Sequence, residues 1–244
     1  METKSIDQIL ENSAHRSWQI PTKKWSFYQE WNKAIFLHWE FDAELISNLI
    51  PKNLELDTFN GKAWISLVAF TMEKIRPRLL LSFPPISNFH EINLRTYVKK
   101  DNKPGVYFLN IEAEKWLSAF IAKSISGLPY EKSQIVHDLN SKIYKAHFDK
   151  KNFNLEIQYK IEQPIVNKTA LDEFLTERYC LYLEQNNQLI RYEIQHLPWA
   201  LNTIKIEKLT TNYQINQHVS LNTKPILMHY SNGIQVIAWN KEHI

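Results

Sequence analysis

Strand-type patterns recur along nearly the whole chain, and they constrain the fold more than any other feature of the sequence. Runs rich in β-branched and aromatic residues cover 34–41, 92–100, 105–113 and most of 130–162, and further runs follow up to residue 239. Helical patterns are few and short. Because a large sheet with open edges invites aggregation, the sequence predicts an α+β fold whose mainly antiparallel sheet is curled or closed like a β-barrel.

Helix signals occur in three places. Residues 5–17 (SIDQILENSAHRS) place Ile6, Ile9 and Leu10 on one side and predict an amphipathic helix with Ser5 as its N-cap. A short helix is predicted after Asp42, and another over 114–126.

Turn signals divide the strands. Asn60-Gly61 predicts the tight turn of a hairpin, and Ser231-Asn232-Gly233 predicts a turn between the last two strands. Residues 76–89 hold three prolines and predict a long loop, a kind of segment that often carries function. No repeat or linker interrupts the 244 residues, so we expect one domain over 1–244, with a helical extension at 1–24 and the main body at 25–240.

Composition excludes several classes of function. The 29 basic and 26 acidic residues give a net charge of +3, which is too balanced for a nucleic-acid partner. No apolar run reaches the length of a membrane-spanning helix. Cys180 is the sole cysteine, which excludes an internal disulfide and suits a reducing cytoplasm. We therefore expect a cytoplasmic protein with a small-molecule ligand, no nucleic acid and no membrane, and a homodimer remains an open alternative.

Motifs for metal, nucleotide or nucleophilic chemistry are missing from the sequence. The nine histidines form no HxH, HExxH or related pattern, and no GxGxxG, Walker or GxSxG motif occurs. We expect no metal and no cofactor, although a metal site assembled from distant residues stays open.

A strand-like segment at residues 89–98 (FHEINLRTYV) places polar groups at alternate positions. Glu91, Asn93, Arg95 and Tyr97 would project from one face, since successive strand side chains point to opposite sides. A face with a carboxylate, an amide, a guanidinium and a phenol either lines a polar pocket or is solvated, with an exposed Glu–Arg pair of little energetic value. Both interpretations remain open from the pattern.

His196 precedes Leu197-Pro198-Trp199, where proline forces an extended or turned backbone. One interpretation is a structural histidine beside a core tryptophan. The other is a histidine at the rim of a pocket, with a pKa near neutrality and able to handle a proton.

Residues 174–185 (FLTERYCLYLEQ) set Glu177 and Arg178 among large apolar side chains, which places the pair at the edge of a core. We expect a short turn in LDEF (171–174) and then a core strand, on which Glu177 and Arg178 point to opposite faces. Arg178 is the better candidate for a structural clamp that reaches the cavity.

Several segments together resemble one family. They are FLHWEF, LELDTFNGKAWISLVAF, FHEINLRTYV, GVYFLNIEA, GLPY, FLTERYCLY and HLPWAL. Over residues 25–240 the chain resembles the YqjF-like, or DUF2071, family of uncharacterised bacterial proteins. That family is in turn similar to the acetoacetate decarboxylase fold, a curled β-rich barrel around a small-molecule cavity. The resemblance therefore implies such a fold and cavity.

In the decarboxylase, a lysine after a Tyr-Pro pair forms a Schiff base with a β-keto acid, a second lysine follows it, and a glutamate lines the cavity. The resemblance puts Glu91 at the position of that glutamate and Pro129, Tyr130 and Glu131 at the Pro-Lys-Lys run. The glutamate is thus present and both lysines are missing. Lys132 is the nearest substitute, and we expect it on the surface.

These observations leave two principal hypotheses. In the first, the protein is a lyase or isomerase of a small keto acid or related compound. Arg95 would hold an acidic or carbonyl group, and Glu91 or Tyr130 would move a proton. Further ligand contacts would come from Asn93, Arg178, His196 and Trp199.

In the second hypothesis, a sensor binds a small, partly apolar ligand without turnover, between aromatic walls. Those walls would be Trp39, Trp64, Tyr107 and Trp199. A third alternative is a cavity filled by side chains, with the protein acting through a surface.

Overall fold

The computed structural model describes residues 5–115 and 127–244. Within these ranges, the α-helices are α1 (Ile6–Glu11), α2 (Ala43–Ser47), α3 (Pro84–Ser87) and α4 (Ala170–Thr176), all short, and a 3-10 helix covers Asp149–Lys151. The strands are β1 (Phe27–Asp42), β2 (Glu55–Leu56), β3 (Lys62–Pro77), β4 (Phe89–Lys100), β5 (Lys103–Ala113), β6 (Tyr130–Lys132), β7 (Gln134–Asp138), β8 (Ile143–Phe148), β9 (Phe153–Pro164), β10 (Cys180–Gln185), β11 (Gln188–Gln195), β12 (Asn202–Asn212), β13 (Leu227–Ala238) and β14 (Glu242–His243).

These strands form one curled, mostly antiparallel sheet, so the predicted fold class is confirmed. The order is β14-β11-β10-β5-β4-β3-β1-β13-β12-β9-β8-β7. β5 pairs in parallel with β6 and β10, and the other pairings are antiparallel in the described chain. β11 also pairs with β13 through Ile194–Ala238 and Gln195–Ile237. This pairing joins two distant strands of the path, so the strands from β11 to β13 enclose an interior.

The central strands β1, β3 and β4 are buried on both faces. Their outward side chains pack against the extension formed by β7, β8, β9 and β12, in a core that includes Ile35, Leu67, Leu94, Tyr144 and Ile157. Their inward side chains, including Phe36, Val68 and Phe70, belong to a second cluster. Two-sided burial explains why β3 reads as an almost continuous apolar run instead of an alternating one.

The predicted helices differ in length from the observed ones. Ser5 caps α1 through a reciprocal capping box with Gln8, but α1 ends at Glu11 and not near residue 17. Asp42 stands at the N-cap of α2 without a capping hydrogen bond, because its carboxylate pairs with Lys62 at 2.8 Å. The helix predicted over 114–126 falls almost entirely outside the described residues.

Two predicted hairpins do not form. Asn60 and Gly61 do form a tight turn with positive φ angles, yet the strand before the turn, β2, pairs with β4 instead of β3. Ser231-Asn232-Gly233 does not turn at all. It lies inside β13, where Gly233 has φ of +142° and a Cβ there would meet Asn32 Oδ1 at 2.0 Å.

The segments at 76–89 and 171–185 also depart from prediction. β3 runs to Pro77 and α3 covers 84–87, so the loop is shorter than predicted. Residues 170–176 form α4, and Glu177 and Arg178 lie between α4 and β10. The prediction of a strand with Glu177 and Arg178 on opposite faces is therefore wrong. The capping box of Thr169 and Asp172 stabilises this helix.

No helix in the described ranges combines the length and the apolar character that crossing a lipid bilayer requires.

Gly105 tests the parallel contact between β5 and β10. A Cβ at this glycine would lie 2.4 Å from the Cys180 backbone oxygen. The backbone could relieve this clash only by breaking the pairing of β5 with β10. We expect Gly105→Ala to lower the free energy of unfolding by about 2–4 kcal/mol, measured by urea denaturation. Gly61→Asn is the control, because nothing lies within 4 Å of its Cβ position and asparagine tolerates positive φ. Equal stability of Gly105→Ala and wild type would contradict the close approach.

Candidate active site

The closed part of the sheet holds a cavity of about 590 Å³. Its wall is mostly apolar and comes from the inward faces of β1, β3, β4, β5 and β11. The opening is marked by exposed lining residues, including Leu81 and Phe83 before α3 and Lys241 near the C-terminus. Apolar residues of the wall include Trp31, Phe36, Val68, Phe70, Met72, Phe89, Phe108, Ile111, Leu181, Ile194 and Trp199.

β4 supplies the polar side of the cavity. Glu91, Asn93 and Arg95 all line it, because they occupy alternate positions on the inward face. Their exposures are 3%, 6% and 7%, so the solvated-face interpretation is wrong. Tyr97, which follows in the same alternation, is fully buried deeper in the protein, and it is not among the residues that line the cavity.

Glu91, which is buried, and Tyr130, which is partly buried, form an acid pair in the cavity wall. The Tyr130 hydroxyl donates a hydrogen bond of 3.0 Å to Glu91 Oε2. Burial raises the pKa of Glu91 to about 8, while the hydrogen bonds from Tyr130 and Asn93 act against that rise. Burial also raises the pKa of Tyr130 well above its usual value. At neutral pH Glu91 is therefore mainly protonated, and a small rise in pH makes it a base.

Arg95 brings a buried positive charge without an ion-pair partner among the described residues. Its Nη2 donates to the Leu175 backbone oxygen at 3.1 Å, and its Nε is buried with no hydrogen-bond partner. Glu91, the nearest carboxyl on the same strand face, is held protonated by burial and does not supply a counter-charge. An isolated buried charge is costly, so this geometry favours an anion in the cavity.

Arg178 is a neutralised cation in the same wall. Its Nη1 contacts Asp57 Oδ2 at 2.5 Å, its Nε donates to Phe174 O at 2.6 Å, and its guanidinium lies 4.2 Å from the centre of the Phe174 ring. These contacts tie α4 to the segment after β2.

His196 lines the cavity but is not a rim histidine. It is 1% exposed, its Nδ1 donates to Leu197 O at 2.7 Å, and burial lowers its pKa although the Glu177 carboxylate opposes the shift. Trp199 stacks on Trp31 at 6.2 Å and also lines the cavity. Glu177 holds this corner by accepting from Trp199 N and from Lys168.

The structure brings seven of the eight predicted site residues to one cavity. These are Glu91, Asn93, Arg95, Tyr130, Arg178, His196 and Trp199. Lys132 is exposed at the end of β6, in a separate depression with residues 147–150, and does not reach the cavity. Of the four predicted aromatic walls, only Trp199 lines the cavity, so the assignment of Trp39, Trp64 and Tyr107 is wrong.

Sequence reasoning missed most of the apolar wall. Phe36 on β1 and Val68, Phe70 and Met72 on β3 point inward at alternate positions, but their strands are apolar on both faces. When both faces of a strand are apolar, the sequence does not distinguish the inward side chains from the outward ones. The alternation of Glu91, Asn93 and Arg95 within β4 is the pattern in the sequence that does identify an inward face.

The DUF2071 family model, described as an uncharacterised conserved protein, matches residues 28–235. The chain is 33% identical over 237 residues to the uncharacterised protein YqjF of Bacillus subtilis (strain 168), covering 95% of this chain and 98% of that one. Solved structures with a similar fold are much more distant in sequence.

The enduracididine biosynthesis enzyme MppR complexed with pyruvate has a TM-score of 0.59 at 10% identity, covering 93% of each chain. The acetoacetate decarboxylase of Legionella pneumophila has a TM-score of 0.57 at 12% identity, covering 100% of this chain and 98% of that one. An acetoacetate decarboxylase-like enzyme from Sphingomonas wittichii RW1 has a TM-score of 0.58 at 12% identity, covering 91% and 94%. At these identities the likeness concerns the fold alone.

Tyr130→Phe tests the acid pair. The hydroxyl stabilises the ionised form of Glu91, so its removal is expected to raise the pKa of Glu91 further above 8. The midpoint can be followed by carboxyl ¹³C NMR of glutamate-labelled protein. Tyr192→Phe is the matched control, because Tyr192 lines the same cavity without contributing to the pKa of Glu91. A lower midpoint in Tyr130→Phe would show that the hydrogen bond serves the protonated form.

Proposed function

Because this chain belongs to the DUF2071 family and has an acetoacetate decarboxylase-like fold, we propose that its cavity binds a small carboxylate and moves a proton next to a carbonyl group. The observation that carries the proposal is the buried, unpaired Arg95 beside the Glu91–Tyr130 pair. The ligand class is a keto acid or related compound, and the reaction class is isomerase or lyase.

The charge of the cavity supports an anionic ligand. Arg178 is already paired with Asp57, so Arg95 supplies the one uncompensated positive charge on the β4 wall of the described chain. A carboxylate can accept from a guanidinium in a charge-assisted hydrogen bond, the strong kind. Pyruvate, with which MppR is complexed, is such an anion, and here it serves as an analogy.

The apolar wall supports a ligand with a hydrophobic part. A volume of about 590 Å³ lies within the range of sites for drug-sized ligands and exceeds what a three-carbon acid fills. Phe36, Phe70 and Phe108 give this space an apolar lining. The preferred ligand is therefore a carboxylate with an aliphatic or aromatic remainder.

Glu91 suits proton transfer at a carbon next to a carbonyl. In its ionised form it accepts the proton from that carbon, and the electron pair of the broken C–H bond moves to the carbonyl oxygen as the enolate forms. Return of the proton to a different atom gives the isomer. A pKa near the working pH favours both directions of the transfer, and the value of about 8 meets this condition.

Schiff-base chemistry at the Tyr130 region is not part of the proposal. Lys132 points away from the cavity, and the lysine that lines it among the described residues, Lys241, is exposed at the opening. An exposed amine lacks the desolvation that lowers its pKa and activates it.

The second candidate function is binding without turnover, as in a sensor. The same absence of a suitably placed lysine in the described lining favours it, and so does the extent of the apolar wall. Both candidates require the anion site at Arg95, and they differ in whether Glu91 changes the ligand.

Arg95→Gln tests the anion site. With octanoate as the probe, calorimetric titration is expected to show about 10- to 100-fold weaker binding than wild type, since a charge-assisted hydrogen bond contributes about 1.5–3 kcal/mol. Binding of 1-octanol, which lacks the charge, is expected to change less than threefold. Arg76→Gln, at the opening, is the matched control for octanoate. Equal affinity of Arg95→Gln and wild type for octanoate would refute the proposed anion site.

Glu91→Gln tests whether the ligand is transformed. In a panel of 2- and 3-keto acids with six to ten carbons, followed by NMR, we expect wild type to convert at least one and Glu91→Gln to do so at least 100-fold more slowly. Conversion by wild type should rise with pH through about 8, as Glu91 ionises, and level off about one unit above that value. Unchanged turnover in Glu91→Gln would exclude the proton-transfer role, and binding without conversion across the panel would favour the sensor. A borohydride-trapped adduct at Lys132 would contradict the exclusion of Schiff-base chemistry.

A further inference from the structure

A chain of polar side chains crosses the core beside the cavity. Asp172 Oδ1 contacts His229 Nε2 at 2.8 Å, and His229 Nδ1 contacts His38 Nε2 at 3.1 Å. His38 Nδ1 contacts Ser66 Oγ at 2.6 Å, and Ser66 Oγ contacts the Tyr97 hydroxyl at 2.5 Å. All five side chains are buried.

The far end of this chain meets the proposed anion site. The Tyr97 hydroxyl donates to Leu175 O at 2.9 Å, and Arg95 Nη2 donates to the same oxygen at 3.1 Å. Asp172 and Leu175 both belong to α4. The chain therefore leaves α4, crosses β13, β1, β3 and β4, and returns to α4 at the carbonyl that holds Arg95.

The number of protons in the chain follows from its ends. Leu175 O accepts only, so Tyr97 donates to it, and Ser66 must then donate to Tyr97. Ser66 accepts from His38 Nδ1 in turn, and His38 Nε2 accepts from His229 Nδ1. A fifth proton lies between His229 Nε2 and Asp172. An ionised aspartate and four neutral partners supply only four protons for these five contacts.

We propose that this chain, Asp172–His229–His38–Ser66–Tyr97, retains a fifth proton and thereby positions Arg95 through the Leu175 carbonyl. With four protons, two lone pairs would face each other at one contact of 2.5–3.1 Å, and the buried chain would carry a net negative charge. With five protons the chain is neutral overall and every contact holds a hydrogen.

Burial lowers the pKa of both imidazoles, so the fifth proton is inferred from the donor count of the chain and not from the basicity of either ring. Burial and the nearby His229 and Arg95 lower the pKa of His38, which keeps that ring neutral. Burial also lowers the pKa of His229, but there the Asp172 carboxylate opposes the shift. Asp172 is the one carboxylate of this hydrogen-bonded chain, so the donor count places the extra proton at its contact with His229, and Arg95 keeps its uncompensated charge for a ligand.

The proton count can be tested without ligand and without substitution. Long-range ¹H–¹⁵N spectra of histidine-labelled full-length protein report which ring nitrogens carry protons, and His38 is identified by its stacking on Phe36 at 6.2 Å. At pH 7 we expect a proton on Nδ1 of both His38 and His229, and a further proton on His229 Nε2 at its contact with Asp172. An unprotonated Nδ1 or Nε2 on His229 would overturn the five-proton arrangement.

The positioning of Arg95 rests on the function proposed above, and Ser66→Ala tests it. Loss of the Oγ breaks the chain in the middle, so we expect octanoate to bind about tenfold more weakly and 1-octanol to bind as to wild type. Ser231→Ala is the matched control, because Ser231 is also a fully buried strand serine but lies outside the chain. Unchanged octanoate affinity in Ser66→Ala would overturn the positioning role. Failure of wild type to bind octanoate would refute the proposed function, while the spectra would still decide the proton count.

Discussion

The pairing of β11 with β13 is the contact on which the rest of the structure depends. It is short, with the backbone partners Ile194–Ala238 and Gln195–Ile237, yet it joins two strands that the remaining sheet path separates by five others. Closure removes the inward faces of β1, β3 and β4 from water. The interior is then a medium of low polarity, in which hydrogen bonds and charges act strongly.

Charge within this interior is distributed unevenly. Arg178 has a carboxylate partner and two further contacts, so it serves as a fixed part of the wall. Among the described residues, the hydrogen-bond partner of Arg95 is the Leu175 carbonyl, which is also the end point of the histidine chain. The same burial that leaves Arg95 unpaired raises the pKa of Glu91. One physical cause, exclusion of water by sheet closure, therefore accounts for both the unpaired guanidinium and the raised pKa of the acid.

The sequence predicted which side chains share a face better than it predicted what that face meets. Alternation at 91, 93 and 95 identified the polar set, because strand geometry has a period of two. Whether the face meets water or a cavity depends on strands far away in the sequence, which alternation does not report. The resemblance to a family supplied that missing information.

Competition between local sequence signals explains the remaining errors in the predicted secondary structure. The apolar residues around Glu177 and Arg178 predict a strand, but the capping box of Thr169 and Asp172 stabilises a helix that runs to Thr176. At Ser231-Asn232-Gly233, turn residues are absorbed into β13 because Gly233 allows the close approach of Asn32.

The double burial of β4 has an evolutionary consequence. From its outer side, the Tyr144 hydroxyl donates to the backbone oxygen of Glu91, while Ile92 and Leu94 fill the opposite core. A change on this strand thus disturbs two compartments at once. The segment around Leu81 and Phe83 touches only the opening and is constrained by neither. Substitutions at the opening therefore carry a lower structural cost than substitutions on β4, and related chains can vary more freely there.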